Sequence, residues 1–411
     1  MEQNATTVLL TCLGHASDAA KAERLASVTP AEWDAVVAQA RRHQSAPLLH
    51  HHLKRLGVAL PGAAADALRR AYLQNAARNL GLYQELGKLL RLLRANDIPV
   101  IPLKGALLAK ALYENIALRQ IGDVDLLVKP ADLAKALDGL RTLGYAPGYS
   151  FETEVERDRN QHLPRLFKRG ELALELHWTI VNPRSNSRFA DRDLDQLWSR
   201  AVPAIIAGVQ VLTLSPEDLL WHLCQHASVQ HRFDGAGLRD YWDIALVIRR
   251  CGNEINWEQF ARHVNQFGIA NGVHLALQLT EEWTGVAIPA PVLAALKAAP
   301  LDDAIMDWVR HKVLNGTSMV LKSDVARFGG KTRFADKLGV LRDVLFLSRI
   351  EMAEMYGPPA NSWRILCYYP VRFKDLWMRH SQAMWQLLWH DKALTTEARQ
   401  EAHLRDYLSW N

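Results

Sequence analysis

The 411-residue sequence has few cysteines and no long hydrophobic run. Its four cysteines lie far apart without a CxxC pair, which argues against a disulfide framework and against a cysteine zinc site. No apolar run reaches the roughly 18 residues that a membrane-spanning helix requires, so we expect no membrane span. The first residues carry no basic stretch ahead of their short apolar run, unlike a secretory signal. We therefore expect a cytoplasmic protein.

The sequence also has no large excess of charge of one sign and no repeats. The chain has 49 basic and 44 acidic residues, a formal net charge of +5, and no dense run of Lys or Arg. Such a mild excess is compatible with a polyanionic partner but does not require one. No internal repeat, low-complexity tract or flexible linker is evident. The length and the 49% hydrophobic content allow two or three domains with well-formed cores.

Hydrophobic periodicity separates helical parts of the chain from a mixed central part. Apolar residues recur at helical spacing between residues 30 and 93, whereas short β-branched segments first occur near residue 97. Ser215-Pro216-Glu217 is a good helix start, because proline suits the first helical position. The predicted domains are a helical N-terminal region (1–95), a mixed core (96–214), a helical subdomain that closes the site (215–290) and a helical, aromatic-rich C-terminal region (291–411).

The predicted core combines several short strands with helices. Strands are predicted at residues 97–103, 121–128, 165–168 and 172–179, helices at 106–114 and 130–143, and a hairpin at 204–214 that turns at Ala207-Gly208. Mixed strands and helices of this kind predict an α+β fold, a small mixed sheet with helical N-terminal and C-terminal domains.

Two carboxylates lie close together in the second predicted strand, in the segment Gly122-Asp123-Val124-Asp125. Side chains alternate along a strand, so Asp123 and Asp125 project from the same face. Carboxylates placed in this way repel each other unless a cation lies between them, and hard oxygen ligands suit Mg²⁺. The pair predicts a metal site, although an Asp-x-Asp segment can also be a solvated edge that binds nothing.

A third carboxylate is expected in the last strand of the sheet. Strict alternation places Glu175 and His177 on one face of that strand, opposite Leu174 and Leu176. Glu175 is the predicted third ligand for two Mg²⁺ (or Mn²⁺) ions, or the general base. A surface position for Glu175 and a purely structural role for His177 are the alternatives.

Positive charge and backbone donors for a triphosphate are predicted just before the acidic strand. Gly105 lies where a strand enters a helix, so free amides at that helix N-terminus can face an anion, with Lys104 beside them. Arg119 lies four residues before Asp123 and can clamp phosphate oxygens. The predicted nucleotide-binding residues are Lys104, Gly105, Arg119 and Gly122.

The stretch from residue 102 to 128, with Pro-Leu-Lys-Gly, Arg119 and Gly-Asp-Val-Asp-Leu-Leu-Val, resembles the nucleotidyltransferase superfamily with the DNA polymerase β-type fold. With Glu175-Leu176-His177-Trp178 and the segments around His226 and Asp243, it is similar to the uncharacterised bacterial nucleotidyltransferase family and, more distantly, to abortive-infection nucleotidyltransferase toxins. The resemblance covers approximately residues 80–265. It implies that Asp123 and Asp125 bind metal and that Gly105 lies in the phosphate loop, where Ala106 replaces the usual serine or glycine.

We therefore predict a metal-dependent enzyme that moves a nucleoside monophosphate from a nucleoside triphosphate, by default ATP, onto an acceptor. His177, His226, Arg239 and Asp243 are predicted to surround the site, with ordinary helix packing as the alternative for the last three. Since no RNA-binding motif is evident, we expect a small-molecule, sugar or protein acceptor rather than tRNA. Nucleotide addition to an RNA 3′ end and a nucleotide-binding module without turnover, which Ala106 makes plausible, are the alternatives.

Overall fold

The structure is a computed structural model of the chain. It describes residues 2–14, 17–148, 160–171, 173–182, 189, 191–235, 237–316, 342, 346–347, 349–356, 362–376, 378 and 392–408. The chain divides into two compact units, Met1–Ala298 and Ala299–Asn411. Within the described residues, no helix combines the length and the apolar character needed to cross a membrane.

Five helices open the first unit, as the helical periodicity predicted. They are α1 (Glu2–Leu13), α2 (Asp18–Ala26), α3 (Pro30–Arg42), α4 (Ala46–Arg55) and α5 (Gly62–Ala95). Helix α3 begins with a capping box, in which Thr29 and Glu32 bond each other's backbone amides, and with proline in its first turn. Helix α5 has 34 residues, so it spans about 50 Å, and it packs against α3 and α4.

A five-stranded mixed sheet forms the centre of the first unit, in the order β1-β2-β5-β4-β3. Its strands are β1 (Val100–Leu103), β2 (Val124–Val128), β3 (Ala146–Pro147), β4 (Leu166–Phe167) and β5 (Leu174–His177). Only β2 and β5 run parallel, and the other neighbours are antiparallel. Between them lie α6 (Lys104–Ala111) and α7 (Leu133–Thr142). Every residue of β1, β2 and β5 is buried, as expected for short strands covered on both faces.

The acidic strand is shorter than the sequence predicted, because β2 begins at Val124 rather than at residue 121. The neighbouring strand β1 ends at Leu103, which pairs with Asp125, and the chain then enters α6. Residues 121–123 therefore precede the paired part of β2. Asp123 lies at the open end of the sheet, whereas Asp125 lies inside it. The predicted strand at 172–179 is likewise shortened to Leu174–His177, and Leu172 lies outside the described residues.

A hairpin and a group of helices complete the first unit. The hairpin pairs β6 (Val202–Ile206) with β7 (Val209–Thr213) and turns at Ala207-Gly208, which confirms the prediction. Ser215 caps the following helix and Pro216 occupies its first turn, also as predicted. The helices are α8 (Asp191–Arg200), α9 (Pro216–Gln225), a π-helical turn (His226–Gln230), α10 (Leu238–Cys251), α11 (Trp257–Gln266), α12 (Ala270–Thr284) and α13 (Ala290–Ala295). The predicted α+β class is confirmed.

The second unit is helical where it is described. Its elements are α14 (Asp303–Asn315), α15 (Arg349–Tyr356), a 3₁₀ segment (Trp363–Cys367) and α16 (Lys392–Leu408). Lys312 of α14 and Glu401 of α16 form a buried ion pair at 2.8 Å. In the aromatic-rich C-terminal region Ile365 is buried, whereas Trp363 and Phe373 are exposed. Residues 377 and 379–391 lie outside the described part, and the bounds of the four predicted domains stay predictions.

Candidate functional site

A cavity of about 430 Å³ opens beside the ends of β2 and β5. The sheet supplies its acidic wall, the turn from β1 into α6 supplies Lys104 and Gly105, and the helical segments after residue 220 supply the opposite wall. Gln44, at the junction of α3 and α4, also lines it. The N-terminal helices therefore take part in forming this cavity, which the sequence did not indicate.

Two buried carboxylates of the cavity come from adjacent parallel strands. Asp125 of β2 is paired in register with Glu175 of β5, so both side chains lie side by side at the same level of the sheet. Both are buried, with 2% and 6% of their surfaces exposed. Asp123 lies beyond the strand end and is half-buried. The structure thus brings all three predicted carboxylates to one cavity, with Asp123 nearest to solvent.

His177 lies between the two buried carboxylates. Its Nε2 is 3.0 Å from an Asp125 oxygen and 3.3 Å from a Glu175 oxygen. Asp125, Glu175 and His177 each offer one atom to a group in which these atoms lie within 4.8 Å of one another, the spacing of ligands around a single ion. The imidazole is therefore in direct contact with the predicted metal ligands. The sequence predicted only that it would lie near the site.

Two cationic side chains also contact this acidic group. The Lys104 Nζ lies 3.7 Å from an Asp125 oxygen. Arg165 donates from Nε to Glu175 at 2.6 Å and from Nη2 to Asp123 at 3.3 Å, so its guanidinium spans two of the three carboxylates. These side chains place positive charge where the carboxylates would otherwise repel each other.

The charges of the group are set by burial and by these neighbours. Burial opposes ionisation of Asp125, but Lys104 and the hydrogen bond from His177 hold the pKa of Asp125 well below its usual range. Burial likewise opposes ionisation of Glu175, and the His177 hydrogen bond keeps its pKa low. Burial, with repulsion from Asp125 and Glu175, raises the pKa of Asp123. Asp125 and Glu175 are thus ready to act as anionic ligands at neutral pH.

Arg119 has a different environment from the one predicted for a phosphate clamp. Its guanidinium donates from Nε and Nη2 to Asp243 at 2.7–3.1 Å, and both residues are buried. Tyr113 donates to the same carboxylate at 2.8 Å. From α5, the amides of Asn75 and Asn79 donate to the Arg119 carbonyl at 3.2 and 2.8 Å. Arg119 lines the cavity but is already paired, and its binding to phosphate stays a prediction.

The glycine of the predicted phosphate loop packs against this arginine. A Cβ on Gly105 would lie 2.7 Å from Arg119 Nη1, closer than side chains tolerate. The next residue, Ala106, is buried, and its carbonyl accepts a hydrogen bond from Tyr83. Gly122 is exposed and has open space around it. Close packing against Arg119 favours glycine at position 105, and its part in nucleotide binding stays a prediction.

The opposite wall of the cavity is polar. His226 and His231 face each other with their Nε2 atoms 3.0 Å apart, and burial lowers the pKa of both. Arg239 contacts the side chain of Gln44 and donates to the Gln120 carbonyl at 3.1 Å. His226, Arg239 and Asp243, predicted to surround the site, all line the same cavity.

A family model described as uncharacterised nucleotidyltransferase matches residues 29–285. The chain belongs to this family. The match begins earlier and ends later than the expected residues 80–265, and it includes α3 and α4, the helices that bring Gln44 to the cavity. Membership identifies the chain as a transferase of the nucleotidyltransferase type.

Among solved structures, this nucleotidyltransferase is similar to an antigenic nucleotidyltransferase-like protein from Paracoccidioides brasiliensis, at 19% identity and a TM-score of 0.33. The similarity covers 54% of this chain and 95% of that chain. No curated protein matches. Bacterial origin and likeness to abortive-infection toxins stay predictions.

The sequence did not single out several residues of this nucleotidyltransferase site. They are Gln44, Gln161, His162, Arg165, Gln230, His231, Asp234 and Asp240. For Arg165 a signal was available, since the strands predicted at 165–168 and 172–179 would bring residue 165 near residue 175 if they pair as a hairpin. Pairing of Leu166 with Leu174 does place Arg165 beside Glu175.

Proposed function

We propose that this nucleotidyltransferase transfers a nucleoside monophosphate from a nucleoside triphosphate, by default ATP, to a hydroxyl group of a small molecule, sugar or protein. The observation that carries the proposal is the register of Asp125 with Glu175, which presents two ionised carboxylates to a cavity that Asp123, Lys104 and Arg165 also line. A cavity of about 430 Å³ is within the size range of small-ligand sites.

The residues present fit a divalent cation. Asp125 and Glu175 are acidic ligands of low pKa, and the cationic groups of Lys104 and Arg165 already lie against them, so positive charge is favourable at this place. Asp123, Asp125 and Glu175 would hold Mg²⁺ or Mn²⁺, with two ions as the prediction for the full site. When bound, such ions neutralise charge on the triphosphate and polarise its phosphoryl oxygens.

The proposed reaction is in-line displacement at the α-phosphorus. A bond forms between the acceptor oxygen and that phosphorus, and the bond to the bridging oxygen of the β-phosphate breaks, so pyrophosphate leaves with the electron pair. The acceptor proton passes to Glu175 or to solvent. Lys104 and Arg165 are positioned to contact the triphosphate, Arg165 by exchanging its carboxylate partners for phosphate oxygens.

The cavity offers few cationic groups for a long polyanionic acceptor. Among the described residues, the lining has six carboxylates, Asp123, Asp125, Glu175, Asp234, Asp240 and Asp243, and four cationic side chains, Lys104, Arg119, Arg165 and Arg239. RNA binding depends on neutralising many phosphates with Lys and Arg. The sequence has no dense run of Lys or Arg that would serve this purpose, which supports a small-molecule, sugar or protein acceptor over an RNA 3′ end.

The test is incubation of the protein with α-labelled nucleoside triphosphates and Mg²⁺ or Mn²⁺, together with either total tRNA or a metabolite and protein extract. We expect label on a small molecule or protein, and no label with Asp123→Asn. Asp138→Asn is the matched control, because that carboxylate is 72% exposed and lies on α7. Label on tRNA would establish the RNA-end alternative, whereas nucleotide binding without any labelled product would establish a binding module.

A further inference from the structure

The buried part of the metal site contains an imidazole as well as carboxylates. His177 is two residues beyond Glu175 on β5, so both side chains lie on the same face of the strand. Its register partner is Leu127, two residues beyond Asp125 on β2. The sheet therefore fixes the nitrogen of His177 and one oxygen each of Asp125 and Glu175 as a compact three-atom group.

The His177 nitrogen that contacts the two carboxylates is Nε2. It lies 3.0 and 3.3 Å from the two carboxylates, whereas Nδ1 is buried with no hydrogen-bond partner among the described residues. To bind a metal ion, Nε2 would release the proton that it shares with the carboxylates, and the ring proton would then lie on Nδ1. Here the orientation of the ring is set by the contacts of Nε2 with the two carboxylates.

The spacing suits ligands of one ion. Two ligands at 90° on an ion with bonds of 2.0–2.1 Å lie about 3 Å apart. The separations of 3.0 and 3.3 Å from Nε2 to its neighbours have this size. Asp125 and Glu175 also line the cavity, from which an ion can reach the group.

We infer that His177 is a direct nitrogen ligand of the metal ion and that this site prefers first-row transition-metal ions such as Mn²⁺ to Mg²⁺. The inference rests on the proposed function. Mg²⁺ favours oxygen ligands, whereas imidazole favours transition metals, so an imidazole in the set shifts selectivity away from Mg²⁺. An alternative role for His177 is to hydrogen-bond and position the two carboxylates without contacting the ion.

Mn²⁺ is the probe that separates these roles, because electron spin-echo spectroscopy detects nitrogen bound to this ion. In the full chain with Mn²⁺ and a non-hydrolysable nucleoside triphosphate, we expect a coupling from imidazole nitrogen that changes with ¹⁵N-histidine labelling. The coupling should be lost in His177→Gln and retained in His162→Gln. His162 is the matched control, since its Nε2 is 3.6 Å from Glu175 and its ring centroid is 4.9 Å from that of His177.

A competition titration measures the preference itself. Displacement of Mn²⁺ by Mg²⁺ should require roughly tenfold less Mg²⁺ in His177→Gln than in the unsubstituted protein. His403→Gln, at an exposed histidine of α16, should leave the titration unchanged. If His177→Gln does not fold, the labelled unsubstituted protein still decides, because Mn²⁺ bound without an imidazole coupling overturns the inference. Coupling that depends on His162 overturns it too.

Failure of the inference is distinguishable from failure of the proposed function. Mn²⁺ that binds in an Asp125-dependent manner without nitrogen coupling contradicts the role of His177 and leaves the proposed function intact. No Asp125-dependent Mn²⁺ or Mg²⁺ binding, even with nucleoside triphosphate present, contradicts both.

Discussion

Arg119 and Asp243 form a buried two-point ion pair between the turn that precedes β2 and helix α10. The two residues are 124 positions apart in the chain. The pair therefore ties the end of the sheet that carries Asp123 to the helical wall of the cavity. Removing one member leaves the other charge buried without its partner.

Arg119→Ala should lower the free energy of unfolding by roughly 3–5 kcal/mol, because Asp243 is then a buried carboxylate without its guanidinium partner. Denaturant unfolding measures the change. Arg141→Ala is the control, since it breaks the exposed pair with Asp138 and should cost less than about 1 kcal/mol. Equal small losses for both variants would contradict a structural role for the buried pair.

Gly105→Ala should destabilise the protein by roughly 1–3 kcal/mol, because the new methyl group would lie 2.7 Å from Arg119 Nη1 while Asp243 holds that guanidinium in place. Gly122→Ala is the matched control, since a Cβ there meets open space. Thermal unfolding of the two variants checks this. Unchanged stability of Gly105→Ala would show that the arginine moves aside freely.

Asp125→Asn should retain the fold and lose metal-dependent nucleotide binding. The substitution removes the charge that a cation needs while keeping the shape and one acceptor oxygen of the side chain. Calorimetry with Mg²⁺ or Mn²⁺ and a non-hydrolysable triphosphate measures the loss, and circular dichroism checks the fold. Unchanged affinity in a folded variant would remove Asp125 from the metal site.

Lys104→Ala and Arg165→Ala should each weaken triphosphate binding roughly tenfold or more, and monophosphate binding much less, since both cationic groups are positioned for the phosphates. Lys110→Ala is the control for Lys104, because it is an exposed lysine on the same helix. Binding of both nucleotides is measured by calorimetry. Equal losses for the two nucleotides would move these residues away from the triphosphate.

His222→Gln should reduce the loss of stability in acid. Burial in α9 lowers the pKa of His222 from 6.5 to about 3. As the pH falls below 6.5, the unfolded chain binds a proton at this residue while the folded chain does not, so the unfolded state gains stability. Urea unfolding between pH 7 and about pH 4 should therefore show a shallower decline for the variant. Parallel declines would contradict the low pKa.

Local pattern was enough to predict the elements that carry the carboxylates. The Asp-x-Asp segment, the alternation around Glu175 and the hairpin at 204–214 all depend on neighbours a few residues apart. The predicted strand ends were less accurate. The pairing of β2 with β1 stops where β1 ends at Leu103, and no property of residues 121–123 reveals this end. The Asp-x-Asp pair is accordingly split between the sheet interior and its open end.

Contacts over long sequence separations account for what the sequence did not indicate. Gln44 reaches the cavity from helices that precede the sheet, and Arg119 meets Asp243 through the packing of α10. Such contacts depend on how the helices and strands pack together, which local sequence patterns do not encode. The pairing of Arg165 with Glu175 depends on the exact length of one turn, so a one-residue shift would have placed Arg165 on the other face.

Lys104 adopts φ of +45°, in the left-handed region, as does Gln44 at +53° on the far wall of the same cavity. A residue with a side chain occupies this region at a cost of about 1–2 kcal/mol, whereas glycine does so freely. A redesign that optimises thermostability alone would place glycine at position 104 and discard the ammonium group next to Asp125. Engineering of this protein should therefore keep Lys104 fixed and seek its stability gains elsewhere.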